Sequence, residues 1–383
     1  MARELSHFIG GKSVAGHSGQ FADVFDPNTG AVQALVPLAS EAEVAAAIAD
    51  AAKAQPGWAA TNPQRRARVL MKFLDLINKN MEPLAQMLSS EHGKTVPDAK
   101  GDIQRGVEVL EFAIGIPHLL KGEFTDSAGT GIDVYSLRQP LGVVAGITPF
   151  NFPAMIPLWK LAPAIACGNA FILKPSERDP SVPLRLAELF IEAGGPPGIL
   201  NVVNGDKVAV DTLLHDPRVA AIGFVGSSAI ANYIYATAAQ NGKRAQCFGG
   251  AKNHMIIMPD ADLDQAVDAL IGAGYGSAGE RCMAISVAVP VGKTTADALI
   301  KKLVPRVEAL KIGLSNDAGA DYGPLVTKAA LHRVRDYVDA GVAAGANLLV
   351  DGRGFKMQGY EDGFFIGGCL FDNVTTDMKI YQE

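Results

Sequence analysis

Between Ser40 and Leu120 apolar residues recur at helical spacing, with Leu70, Phe73, Leu74 and Ile77 on one stripe. That pattern predicts helices that lay one apolar face against a core. From Lys121 to Pro140 the sequence turns polar and Gly-containing, with Val134, Tyr135 and Leu137 near its end, and predicts a hairpin projecting from the main body. After Pro140 short β-branched runs alternate with helical stretches. Strands are predicted at Gly142–Thr148, Phe171–Lys174, Leu200–Val203 and Ala220–Val225, and helices at Met155–Ala166, Val182–Ala193 and Ser227–Gln240. Alternation of this kind predicts a parallel sheet flanked by helices, whose ligands sit at the carboxyl ends of the strands. A second unit starts near Gly250, with a strand at Met255–Met258, a helix at Leu263–Ala278, a strand at Ile285–Val291 and further helices.

Composition narrows the picture. A chain of 383 residues that is 48% apolar can bury a sizeable core and form two domains. The net charge of -6 offers no basic surface on average, so no nucleic-acid partner is expected. Four scattered cysteines, Cys167, Cys247, Cys282 and Cys369, suit a reducing compartment better than a disulfide framework. The start, MARELSHFIGGK, lacks the apolar core of a signal peptide, and the most apolar segments are broken before they could span a bilayer. A soluble cytoplasmic protein without a membrane or metal site is expected.

Four strand–helix junctions could carry chemistry. Gly279-Glu280-Arg281-Cys282 can present a thiol to a cleft, with a neighbouring Arg favouring its thiolate, although a buried structural cysteine fits the same residues. In Thr148-Pro149-Phe150-Asn151-Phe152-Pro153 the two prolines restrict the backbone around Asn151. Its amide can then be fixed as an oxyanion donor, or the segment is simply a turn. Lys174-Pro175-Ser176-Glu177-Arg178 can bind ribose hydroxyls, or else end a strand in solvated charges. Gly226-Ser227-Ser228 can receive a phosphate on helix amides or merely cap the helix. Gly274-Tyr275-Gly276-Ser277-Ala278-Gly279 matches G-x-G-x-x-G, but it ends a helix instead of opening one, so it is rejected as a phosphate loop.

Taken in order, ITPFNFP, GNAFILKPSE, GFVGSS, FGGAKNH and GERC resemble the aldehyde dehydrogenase superfamily, and the likeness covers essentially the whole chain. The resemblance implies an α/β fold with a Rossmann-type parallel-sheet NAD-binding domain (1–120 and 141–249), an oligomerisation hairpin (121–140) and an α/β catalytic domain (250–383). It implies that Cys282 attacks the aldehyde and that Asn151, with the Cys282 amide, stabilises the oxyanion. Lys174 and Glu177 would hold the adenosine ribose, and Thr148, Phe150, Arg178, Gly226, Ser227 and Gly249 would line the rest of the NAD site. A carboxylate at Glu177 should repel a 2′-phosphate, which favours NAD over NADP.

Within the superfamily, FGGAKNHMIIMPDA and GERCMA are most similar to the CoA-acylating methylmalonate-semialdehyde branch. Hydrolytic members carry a glutamate just before the paired glycines. Here that stretch reads Gln246-Cys247-Phe248-Gly249-Gly250, without a carboxylate. A coenzyme A thiolate needs no such base, being already a strong nucleophile. The branch also sets two arginines against the substrate carboxylate, and Arg105 and Arg281 stand in the matching positions; an ordinary surface role fits Arg105 equally. Family members continue past the position of Glu383 into an EIFGP segment, so the resemblance implies a catalytic domain incomplete at the C-terminus. It also implies a homo-oligomer, dimer or tetramer, for the complete protein. Three functions are compatible with the sequence: a CoA-acylating oxidation of malonate or methylmalonate semialdehyde, a hydrolytic aldehyde dehydrogenase, and a non-catalytic NAD-binding remnant.

Overall fold

The computed structural model describes residues 2–383. The N-terminal part supplies short strands β1 (Arg3–Glu4), β2 (His7–Ile9), β3 (Lys12–Val14), β4 (Phe21–Phe25) and β5 (Val32–Pro37). Helices α1 (Glu41–Ala60), α2 (Pro63–Lys79), α3 (Met81–His92), α4 (Val96–Ile114) and α5 (Ile116–Leu119) follow. Local chemistry explains where they begin. Ser40 and Glu43 form a reciprocal capping box on α1, and Asn62 caps α2 with Pro63 at its first position. In α2 the predicted stripe is real: Leu70, Phe73 and Ile77 are fully buried.

The main sheet grows from β8 (Val143–Ile147), β9 (Ala170–Lys174), β10 (Leu200–Val202), β11 (Val219–Val225) and β12 (Arg244–Phe248). These alternate with α6 (Met155–Ala166), α7 (Ser181–Glu192), α8 (Lys207–His215) and α9 (Ser228–Gln240). Its order is β12-β11-β8-β9-β10-β2-β3, parallel from β12 to β10 and antiparallel at β2 and β3. Every residue of β8, β9 and β10 is buried, as expected for parallel strands covered on both faces. The order has one functional consequence. From β8 the chain adds β9 and β10 on one side, then returns to add β11 and β12 on the other. The reversal lies between β8 and β11, and at such a switch point loops leave the carboxyl ends in opposite directions and open a crevice for ligands.

The hairpin pairs β6 (Phe124–Gly129) with β7 (Ile132–Tyr135), exposed along nearly its whole length. The C-terminal part holds β13 (Asn253–Ile257), α10 (Leu263–Tyr275), β14 (Ile285–Pro290), α11 (Lys293–Glu308), α12 (Lys328–Ala343), β15 (Asn347–Val350), β16 (Leu370–Asp372) and α13 (Lys379–Gln382). Its core gathers Ile257, Val267, Leu270, Leu299, Leu303 and Val307 beside the parallel pair β13–β14.

By contacts the chain divides into two units. One comprises the N-terminal residues through Val24, Ala34–Ala85 and Lys100–Gly249; the other comprises Phe25–Gln33, Gln86–Ala99 and Gly250–Glu383. Two expectations need correcting. Strand β12 was not predicted, because Arg-Ala-Gln-Cys-Phe is a half-polar edge sequence that shows only weak alternation. The helix expected through Ala278 ends at Tyr275, where Gly276–Gly279 tighten into a 3-10 turn with Ser277 and Ala278 left-handed.

Candidate active site

The candidate residues of the first unit stand at the carboxyl ends of neighbouring strands. Just after β8, the Thr148 amide donates to the Lys174 carbonyl at 3.1 Å, tying the ends of β8 and β9 together. Thr148 is buried, and its hydroxyl has no hydrogen-bond partner among the described residues. The Arg178 guanidinium lies over the Phe150 ring at 4.9 Å. The turn through Asn151 runs into α6, whose first amide, from Met155, donates to Asp102 at 2.8 Å. Asp102 therefore fixes the exit of the Asn151 segment.

At the end of β9 the buried Lys174 ammonium donates to Glu177 at 3.4 Å. Burial pushes the Lys174 pKa below its ordinary value, and Glu177 opposes that shift. Burial pushes Glu177 upward, yet Lys174, its own backbone amide and Arg178 together hold it below the usual carboxylate range. The Arg178 amide donates to Ser176 Oγ at 3.1 Å, which shapes the turn presenting the pair.

On the other side of the switch point the Gly226 amide donates to the Phe248 carbonyl at 3.1 Å. A Cβ at Gly249 would lie 2.9 Å from Ser228 Oγ, so the backbone passes close over the start of α9. Ser227 occupies the cap of α9, but its hydroxyl makes no capping bond. The helix start carries the field that favours an anion. Beneath this edge Lys160 crosses the sheet where glycines leave room, its Nζ 3.1 Å from where a Cβ of Gly223 would be. It ends 5.7 Å from the centre of the Phe248 ring. Burial lowers the Lys160 pKa to about 8, partly opposed by Cys247, whose own thiol burial pushes up.

In the second unit Cys282 sits exposed in the turn between Gly279 and β14. Three consecutive left-handed residues, Ser277, Ala278 and Gly279, lead into it. Asn253 at the start of β13 holds the turn from outside: its side-chain amide donates to the carbonyls of Cys282 and Ala284, each at 2.9 Å. Arg281 donates to Asp98 at 2.6 Å and packs its guanidinium where a Cβ of Gly276 would collide. Arg105, on α4 in the first unit, is exposed and pairs with Glu108 at 3.1 Å.

The first unit thus gathers Thr148, Phe150, Lys174, Glu177 and Arg178 on one side of the switch point and Gly226, Ser227 and Gly249 on the other. Arg105 instead pairs with Glu108 on its own helix. Asn253, Asp98 and Lys160 were missed as supporting residues. Only Asn253 carried a signal, since it lies within FGGAKNH. Among the described residues no group of His, Cys, Asp and Glu could hold a metal ion, and no helix is long and apolar enough to cross a membrane.

Residues 14–383 match the aldehyde dehydrogenase family. This chain belongs to that family. It is 58% identical over 379 residues to malonate-semialdehyde dehydrogenase of Pseudomonas aeruginosa, covering 99% of this chain and 76% of that relative. Acylating mitochondrial methylmalonate-semialdehyde dehydrogenase of Arabidopsis thaliana is 47% identical, over 100% of this chain and 63% of its own length. Among solved structures, a Sinorhizobium meliloti protein described as a methylmalonate-semialdehyde dehydrogenase, complexed with NAD, superposes with a TM-score of 0.99. It is 70% identical, over 100% of this chain and 78% of that one. The expected aldehyde dehydrogenase-like α/β fold with a parallel sheet is therefore the fold of this chain.

Proposed function

We propose that the protein catalyses the NAD-dependent, CoA-acylating oxidation of malonate or methylmalonate semialdehyde to acetyl- or propionyl-CoA. The observation that carries this reading is the end of β12, where Gln246, Cys247 and Phe248 precede Gly249 and no carboxylate is present to activate water. The relatives named as semialdehyde dehydrogenases, one of them acylating, support it.

The strand ends suit NAD. Thr148 Oγ1 is a buried hydroxyl awaiting a partner, Lys174 and Glu177 match ribose hydroxyls, and the start of α9 with the close backbone at Gly249 matches a pyrophosphate. The negative charge on Glu177 disfavours a 2′-phosphate. Bound there, NAD supplies the hydride acceptor. Residues 1–120 and 141–249 are assigned this binding role, residues 250–383 the chemistry, and the exposed hairpin self-association into an oligomer.

The Cys282 thiolate attacks the aldehyde carbon, and the side-chain amide of Asn151 with the Cys282 amide donates to the oxyanion. Loss of hydride, for which bound NAD would be the acceptor, leaves an acyl group as a thioester on Cys282. The substrate carboxylate departs as carbon dioxide, and the carbanion left beside the thioester carbonyl takes a proton from water. The coenzyme A thiolate then displaces the Cys282 sulfur. Arg105 and Arg281 are assigned to the substrate carboxylate. The present partner of Arg105 does not forbid this, because an exposed pair such as Arg105–Glu108 is worth only about 0–1 kcal/mol and exchanges readily.

The test is NADH formation with and without coenzyme A. Expected is a burst of about one NADH per Cys282 in CoA-free buffer, and continuous turnover with CoA. Steady turnover without CoA, releasing free acid, would establish the hydrolytic alternative instead.

A further inference from the structure

A separate cavity of about 250 Å³ lies in the second unit, between α12 and the segment around Phe355–Phe365. Its chemistry differs from that of the strand ends. Lys328, His332 and Arg335 follow one another at helical spacing, so α12 turns three basic side chains to one face, and Lys356 adds a fourth from the facing segment. Buried Phe364 and Phe365 supply an apolar floor.

Arg335 is the decisive residue. Its Nε is buried with no hydrogen-bond partner, and among the described residues the side chain has no ion pair. The cavity does contain carboxylates, Glu361 and Asp362. Neither is paired with Arg335, and Glu361 is engaged in accepting the Gly359 amide at 2.9 Å. A guanidinium can present parallel N–H donors that match the oxygens of a phosphate, and a buried donor is seldom left unsatisfied. The end of the helix does not explain the cavity, because Thr327 already caps α12 through the Ala330 amide at 3.1 Å.

We propose that this cavity is a binding site for a small organic phosphate monoester, with Arg335 holding the phosphate and the phenylalanine floor its apolar body. Three lysine and arginine cations against two carboxylates, with His332 as a further polar group, favour an anionic ligand. The volume of about 250 Å³ suits a compact ester better than a whole dinucleotide, whose sites are commonly larger. The inference is independent of the reading of Cys282 and of the strand ends.

Phenyl phosphate and phenol are the probes, titrated calorimetrically into the full chain, Arg335→Gln and Lys356→Gln, with thermal unfolding to verify each fold. Saturable binding of phenyl phosphate and none of phenol is expected. Arg335→Gln should weaken it roughly ten- to a hundredfold, the loss of a charge-assisted hydrogen bond, and the exposed Lys356→Gln severalfold. If Arg335→Gln does not fold, Lys356→Gln alone decides. Absence of saturable heat, phenol binding as tightly as the ester, or an unchanged affinity in the folded variants would overturn the site.

Discussion

The end of β9 and the turn bearing Cys282 hold their candidate side chains in opposite ways. Lys174 and Glu177 come from one short segment, stand three residues apart and pair with each other, and their position is set by a strand buried throughout. Cys282 is exposed on a turn preceded by left-handed residues, and the anchor on its carbonyl comes from Asn253, 29 residues away in sequence. A site that only has to bind can be built from a stiff strand end. Cys282, the proposed nucleophile, would have to reach a substrate, and it sits on exposed backbone that borrows its rigidity from another strand.

The sharpest break of this comparison is Cys282→Ala. NADH formation should fall by more than about a thousandfold, as for loss of a covalent nucleophile. The dissociation constant for NAD, measured by calorimetry, should stay within a few fold. Retained turnover would remove Cys282 from the chemistry.

Lys174→Ala with Glu177→Gln addresses the other region. On the proposed reading each would remove a charge-assisted hydrogen bond to the ribose worth about 1.5–3 kcal/mol, less for the partly exposed Glu177. Affinity for NAD should drop on the order of a hundredfold, and a thiol-alkylation rate at Cys282 in the absence of NAD should not move. An unchanged dissociation constant would reduce the pair to a strand terminator.

Lys160 tests the strand-end region through pH. Its folded pKa of about 8 lies below the ordinary 10.5, so below pH 8 both states carry the proton and the fold bears the cost of a buried charge. Between about 8 and 10.5 the unfolded chain binds more protons than the folded one, and wild-type stability should gain with rising pH from this group. Lys160→Met should therefore be more stable at pH 7 by about 1–3 kcal/mol, an advantage that shrinks toward pH 10.5. Urea denaturation at both pH values measures it. A constant difference would show that the amine is not desolvated.

The smallest effect concerns the turn. Asn253→Ala removes two hydrogen bonds, each worth about 0.5–1.5 kcal/mol. It should lower kcat roughly tenfold while KM and NAD affinity hold. A loss in stability without a loss in kcat would make Asn253 structural only.

Much of this was legible because it is local. The stripe of Leu70, Phe73 and Ile77, the helix Met155–Ala166, and the strands ending at Lys174 and Val225 follow from period and composition, which act over a few residues. The motif residues at those strand ends followed too, since the alternation of strands and helices itself says where ligands gather. What the sequence determined by itself was the helices of the first part, the parallel strands β8 to β11 with the helices between them, and the residues at those strand ends. Only tertiary structure decided that β11 returns beside β8 to create the switch point, that half-polar Arg244–Phe248 joins the sheet as its edge, and that Asn253 braces Cys282. It also decided that Asp98 holds Arg281 and that Lys160 runs under the sheet edge. These depend on which distant segments meet, and the free energy of such meetings lies in burial and hydrogen bonds between residues whose spacing in the chain carries no period to read.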